Sequence, residues 1–220
     1  MDPLKHYIIT RFNVAFKKGP DVTGKSKAGL AWLNRRFELF HKYYIPSIKN
    51  QWNKNFEIIF VCDPQSSPTI LQELGNFGTT ITCSIKDWFS SIKTPAITSR
   101  LDSDDALHMC YTEYVQQYFS DKQKNCLCDI IPAFYIEETG RTGTFQKSYP
   151  TQFISMLSID NKANCCSREH GAMKKVCSDY HVINHFYGAL HVIHGTNLTD
   201  KKRMFPNFKD VDLTDYGLGL

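Results

Sequence analysis

Apolar positions along the chain change period several times, and each change marks an element. Residues 7–14 run Tyr7, Ile8, Ile9, Thr10, Arg11, Phe12, Asn13, Val14, a β-branched and aromatic stretch that predicts a first strand. It stops near Lys17-Lys18-Gly19-Pro20, and the polar, Gly-bearing 21–27 reads as a loop. Over 28–50 the apolar residues Leu30, Leu33, Phe37, Phe40, Tyr44 and Ile48 recur at helical spacing. Pro46 should end or kink that helix near Tyr44, because its ring clashes with the preceding turn. Residues 56–62 are almost wholly apolar, as a strand buried on both faces would be, and stop at Asp63-Pro64. A short helix over 69–74, strands over 79–85 and 96–101, and a helix over 106–119 complete the first half.

That alternation of strand and helix predicts an α/β fold, with a mixed, mostly parallel sheet flanked by helices. The second half is less regular. Residues 126–137 and 144–149 read as strands around a turn at 140–143, and 154–159 fits strand or helix equally. A polar loop at 160–168, a helix reaching 177, a strand over 190–194 and a polar tail from 200 follow. No internal repeat or low-complexity segment interrupts the chain, so 1–220 is read as a single domain.

Composition narrows the function classes. Of 220 residues, 42% are hydrophobic and 22% charged, which excludes a disordered chain. The net charge of +4 is too small and too evenly spread for a nucleic-acid binder, yet suits an anionic small molecule. No apolar run approaches the roughly 20 residues of a membrane span. The opening Met1-Asp2-Pro3-Leu4-Lys5-His6 lacks a signal-peptide core, which predicts a cytoplasmic protein. Cys62, Cys83 and Cys110 lie within apolar patterns, where thiols pack as small hydrophobes. Cys126-Leu127-Cys128 and Cys165-Cys166 lack the two-residue gap of zinc knuckles, so all eight cysteines are expected reduced. Asn197-Leu198-Thr199 matches a glycosylation sequon, without consequence in a cytoplasmic protein.

The chemistry concentrates at Arg100-Leu101-Asp102-Ser103-Asp104-Asp105. Three carboxylates within four residues repel one another unless something compensates them. They follow a strand, at the end where open α/β sheets bind ligands, and hard oxygen ligands suit Mn²⁺ or Mg²⁺. A plainer alternative is a solvated turn in which Asp104 or Asp105 caps the next helix.

This box, with Thr10-Arg11-Phe12-Asn13, resembles the nucleotide-sugar glycosyltransferases of GT-A (Rossmann-like) fold, and most of all the rhamnosyltransferase family. Pro46-Ser47-Ile48, Asp63 and Val192-Ile193-His194-Gly195-Thr196-Asn197 follow that family's order of motifs, and the resemblance spans about 5–199. It implies a metal-dependent transferase that moves a hexose, rhamnose among the candidates, from a nucleotide-diphosphate sugar to a glycan hydroxyl with inversion. It further implies Asp102, Asp104 and His194 as the metal set for Mn²⁺ or Mg²⁺, with Asp102 on the ribose or a metal-bound water, and Asp105 supporting the turn. Asp63 would accept from the base, Thr10 and Arg11 would line the same pocket, and Arg100 would face the phosphates or brace the aspartates beside Ser103. About 5–125 would form the donor half and 126–199 the acceptor half.

The acceptor side is poorly marked. Inversion needs a carboxylate or similar base within hydrogen-bond reach of the attacking hydroxyl. Asp160, Glu169 and His170 are the candidates, with Glu137 and Glu138 upstream, and spacing does not separate them. His185-Phe186-Tyr187-Gly188 could stack on a sugar or simply pack. Two other readings compete: a nucleotidyl or phosphoryl transferase, which lacks a phosphate-cradling glycine loop, and a Cys/His zinc protein or inactive carbohydrate-binding relative. Oligomeric state is not readable from the chain.

Overall fold

Strand β1 (Lys5–Arg11) alternates its side chains between two buried faces, and this sets the plan of the molecule. Ile8 and Phe12 enter one hydrophobic cluster, and Tyr7 and Ile9 enter another on the opposite side. The computed structural model describes residues 4–14, 21–145, 150–197 and 207–219. Lys17-Lys18-Gly19-Pro20, the sequon's Leu198 and Thr199, and most of the strand expected at 144–149 lie outside these residues.

On the first face lies a long helical run. Helix α1 (Lys27–Leu39), capped by the Ser26 hydroxyl accepting from Gly29 N–H, leads into a π-helical turn (Phe40–Tyr44) and then α2 (Ile45–Lys49). Pro46 therefore does not end the helix near Tyr44. It sits in the first turn of α2, where the wider π turn before it relieves the ring's clash with the preceding carbonyl. Phe40, Tyr44 and Ile48 are buried as the periodicity predicts, while Leu30 projects into solvent.

Strands β2 (Glu57–Val61), β3 (Thr79–Ile81) and β4 (Ala96–Arg100) pair in parallel around β1, with α3 (Pro68–Gly75) and α4 (Ile85–Ser91) between them. The strand expected over 79–85 stops early because Ser84 caps α4, its hydroxyl accepting from Asp87 N–H. Ala106–Leu107 forms β5, and helix α5 (Tyr111–Phe119) starts later than expected. The single strand expected over 126–137 divides into β6 (Cys126–Ile130) and β7 (Pro132–Ile136), which belong to different sheets. Then come β8 (Arg141–Thr144), β9 (Ile154–Ser158), a 3₁₀ turn (His170–Lys175), β10 (Tyr180–Ile183), β11 (Ala189–Ile193) and β12 (Asn207–Phe208).

Among the described residues the main sheet runs β10-β6-β9-β4-β1-β2-β3, with only β9 antiparallel to its neighbours. A second sheet, β12-β8-β7-β11-β5, gathers beyond the carboxyl ends of β4 and β6, whose chains continue into β5 and β7. Its core includes Leu39, Tyr43, Leu190, Val192, Tyr216 and Leu218. The supposed polar tail thus supplies packing residues. All eight cysteines are free thiols. Cys62 and Cys110 are buried as expected, but Cys83 is exposed. Cys126 and Cys128 lie in the first cluster and Cys165 in the second, across the sheet from them.

A buried polar chain ties the layers together. His6 Nε2 lies 2.8 Å from Ser99 Oγ, Ser99 Oγ lies 2.6 Å from Ser155 Oγ, and Tyr111 Oη lies 3.0 Å from Ser155 Oγ. Burial drives the His6 pKa down to about 3, so the folded protein holds this imidazole neutral. The unfolded chain takes up a proton below about 6.5. Between these values the unfolded state binds more protons, so His6's contribution is intact above pH 6.5 and is lost as pH falls toward 3. Its share of the loss amounts to ~1.4 kcal/mol per pH unit. Denaturant titrations of His6→Gln should therefore show a flatter stability profile between pH 7 and 4 than the parent protein; an unchanged profile would contradict this.

Candidate active site

The order β4-β1-β2-β3 places β1 where the connections reverse direction, and in open α/β sheets the crevice outside the carboxyl ends at such a point receives ligands. Here Arg11 ends β1, Arg100 ends β4, and the turn Asp102–Asp105 follows, closed by Asp105 N–H donating to Asp102 O at 3.1 Å. The chain then enters β5, which pairs antiparallel with β11 in the register Leu107–Ala189 and Ala106–Leu190. Extending that ladder sets Asp105 opposite His191 and carries Asp104 toward His194. A two-residue strand therefore brings Asp104 and His194, 90 positions apart, together.

Each carboxylate has a different environment. Asp104 Oδ2 meets Arg36 Nη1 at 2.7 Å and His194 Nε2 at 3.0 Å. Burial opposes ionisation of Asp104, but the Arg36 guanidinium and the His194 hydrogen bond outweigh it and hold this carboxyl well below the usual carboxylate range. Asp105 is sealed inside, accepting from Val192 N–H at 2.9 Å and lying 3.0 Å from His191 Nδ1. Burial, resisted by His191 and reinforced by Asp104 and Asp102, pushes its pKa up to about 6. Asp102 is more open and receives the Arg100 guanidinium at 3.2–3.3 Å. Burial disfavours the charged Arg100, yet the Asp102 charge more than restores it.

His194 is oriented from behind. Thr196 N–H donates to Nδ1 at 3.3 Å, so Nδ1 accepts and Nε2 carries the proton shared with Asp104. Thr196 Oγ1, 2.8 Å from Nδ1, can accept instead, which would release the Nε2 lone pair. The 3.0 Å between Asp104 Oδ2 and His194 Nε2 also equals the spacing of adjacent corners of an octahedron with ligands roughly 2.1 Å from its centre. Among the described residues no group of three or more His, Cys, Asp and Glu side chains is set to hold a metal. Two protein ligands nevertheless fit hard cations that draw their remaining oxygens from water and substrate phosphates.

The other predicted residues divide by position. Ser103 is fully buried, and its Oγ has no partner among the described residues. Arg11 faces Glu169 across 3.6 Å, so Glu169, 74% exposed, reaches the crevice; His170 follows it at the start of the 3₁₀ turn. Thr10 points to the opposite face from Arg11, buried with its hydroxyl 2.9 Å from Tyr44 Oη, so the two neighbours cannot line one pocket. Asp63 lies past β2, where its N–H donates to Asn13 Oδ1 at 3.3 Å and its Oδ1 accepts from Gln65 N–H at 2.8 Å. Asp160 follows β9, whose antiparallel pairing with β4 sets Ser158 beside Ala96. Asp160 is therefore at the far end of β4 from the aspartate turn, bonded to Asn125 and paired with Lys162.

Glu137 is committed to Arg35, Lys42 and Tyr43, whereas Glu138 brings a carboxylate oxygen to 3.5 Å from where a Cβ on Gly195 would sit. Phe186 packs on Tyr114 and His108, which accounts for that aromatic stretch without a sugar. Arg36 is the residue that sequence reading missed, since an arginine on an amphipathic helix reads as solvent-facing.

The family model described as "Putative rhamnosyl transferase" matches residues 25–82, from the start of α1 through β3. No curated protein matches the chain in sequence. Among solved structures, S. aureus TarS 1–349 superposes with a TM-score of 0.51 at 10% identity, over 86% of this chain and 60% of that one. The same TarS fragment in complex with UDP gives 0.49 at 9% identity with the same coverage. The chain thus spans 60% of the length of the TarS fragment it matches. It carries a GT-A-like α/β fold shared with TarS, and within it a segment that matches the rhamnosyl transferase family.

Proposed function

We propose that the protein is a glycosyltransferase that moves a hexose, rhamnose among the candidates, from a nucleotide-diphosphate sugar to a glycan hydroxyl with inversion. The observation that carries this reading is the convergence of Asp104 and His194, from distant parts of the chain, at the carboxyl edge of β4. There, buried donors without partners among the described residues, Arg11 Nε and Ser103 Oγ among them, favour an anionic ligand. Asp104 and His194 would hold Mn²⁺ or Mg²⁺. The chemistry supplied by such a cation is neutralisation of the charge that grows on the departing diphosphate.

The chain's own groups do the rest. Arg100 fixes Asp102 at the crevice mouth, where its open carboxylate can take a ribose hydroxyl or a metal-bound water. Asp105 locks the turn to β11 through Val192. Asp63 would accept from the base, and Glu169 is the candidate that lies at the crevice and can take the acceptor's proton. Residues up to about 125 would serve the donor and 126–199 the acceptor. Eight free thiols favour the cytoplasm as the place of action.

The same thiols do not favour the zinc-protein reading, because Cys126 and Cys128 are separated from Cys165 by the sheet. A screen of nucleotide sugars for Mn²⁺-dependent hydrolysis and transfer tests the proposal. Within it, Asp63→Ala should raise KM for the donor about tenfold with kcat nearly unchanged, since a base contact is present in ground and transition state alike. A large fall in kcat at constant KM would move Asp63 out of the base pocket.

A further inference from the structure

The Arg36 guanidinium occupies a place that two other groups would compete for. Its Nη1 is 2.7 Å from Asp104 Oδ2, the same oxygen that faces His194, so it neutralises the carboxylate the cation would use. Its Nε is buried and has no hydrogen-bond partner among the described residues. An unpaired buried donor is unfavourable, and an arriving acceptor would remove that penalty. Trp32, one helical turn earlier on α1, stacks on the guanidinium with its ring centroid 5.3 Å from Cζ. The ring gives the planar cation a surface on which to slide without losing its packing.

Resting on the donor-site reading above, we propose that Arg36 is a donor-binding residue with two alternative partners. Without donor it holds Asp104 as a built-in counter-ion. When the donor's diphosphate enters, the guanidinium transfers to it, giving Nε and an Nη group to phosphate oxygens as a fork. That transfer frees Asp104 Oδ2. Diphosphate and divalent cation then bind in a linked order: the anion draws Arg36 away, and the exposed carboxylate admits the cation. No bond is made or broken in this exchange. The carboxylate cluster also never stands uncompensated, which answers the repulsion evident in the sequence.

The test measures binding alone, with inorganic pyrophosphate in chelator and with Mn²⁺ in the absence of any phosphate, by titration calorimetry and by Mn²⁺ paramagnetic resonance. Arg36→Met should bind Mn²⁺ at least fivefold more tightly than the parent protein, because the competing cation is gone. It should bind pyrophosphate about tenfold more weakly. Arg36→Lys keeps a charge but no Nε, and should leave Mn²⁺ affinity near the parent value while pyrophosphate still weakens; it also serves if the Met variant fails to fold. Unchanged or weaker Mn²⁺ binding in Arg36→Met, with only a lower melting temperature, would show a structural tether and overturn the proposal. If the parent protein binds neither probe, and Asp104→Asn alters nothing, the donor-site reading itself fails and takes the proposal with it.

Discussion

Asp104→Asn is expected to lower metal-dependent sugar transfer by at least 10²-fold, the usual cost of removing one group that stabilises developing charge. Asn keeps the shape of the side chain and can still accept from His194, but it brings no charge to Arg36 or to a cation. Both kcat and kcat/KM should fall together, because leaving-group charge develops only in the transition state. The substitution also leaves the partly buried Arg36 without its counter-ion, which should cost about 1–3 kcal/mol of stability. A folded variant with parent activity at the same Mn²⁺ concentration would remove Asp104 from the chemistry.

His194→Ala carries the second large effect. His194 reaches Asp104 only because β5 pairs with β11, so its role tests the second sheet as well as the site. Loss of a nitrogen ligand should weaken Mn²⁺ binding at least tenfold, or ~1.4 kcal/mol. Thr196→Val should copy part of the effect, because it removes the hydroxyl that steers Nδ1. A histidine that merely packs gives the reverse pattern: lower thermal stability with unchanged Mn²⁺ affinity.

The parts of this architecture that were legible in the sequence are those governed by local pattern. β1 and β2 are short runs rich in β-branched and aromatic residues, and burial on both faces is what such runs favour. The aspartate turn was legible because like charges that close need a reason. The parts that escaped depend on contacts distant in sequence. Ala106 and Leu107 have helix-compatible side chains, and only β11 makes them a strand. Pro132 opens β7 and breaks the 126–137 run, sending the chain into another sheet. Tyr216 and Leu218 look like a tail until the second sheet supplies the surface they cover. Ser84 and Asp87 did carry a local sign of α4, a hydroxyl three residues before an acid, which the β-branched run ahead of it obscured.

At the site, the residue types were legible but their partners were not. Nothing local to α1 says that Arg36 turns inward to Asp104, or that Thr10 and Arg11, adjacent in sequence, serve opposite faces of the sheet. Strand alternation alone would have separated the latter pair. Asp160 follows an antiparallel strand, and only the pairing of β9 with β4 shows that it leaves the sheet at the end away from the aspartates.

The most direct test of the central claim, that the crevice around Asp104 takes the diphosphate of a nucleotide sugar together with a divalent cation, is thermal unfolding with a panel of nucleotide-diphosphate sugars, with and without Mn²⁺. Only a ligand that binds the folded state raises the midpoint, by an increment that grows with its concentration over Kd. A rise is expected for at least one donor, larger with Mn²⁺ than without and absent in Asp104→Asn. No rise with any donor, or one equally large in metal-free buffer and in Asp104→Asn, would contradict it.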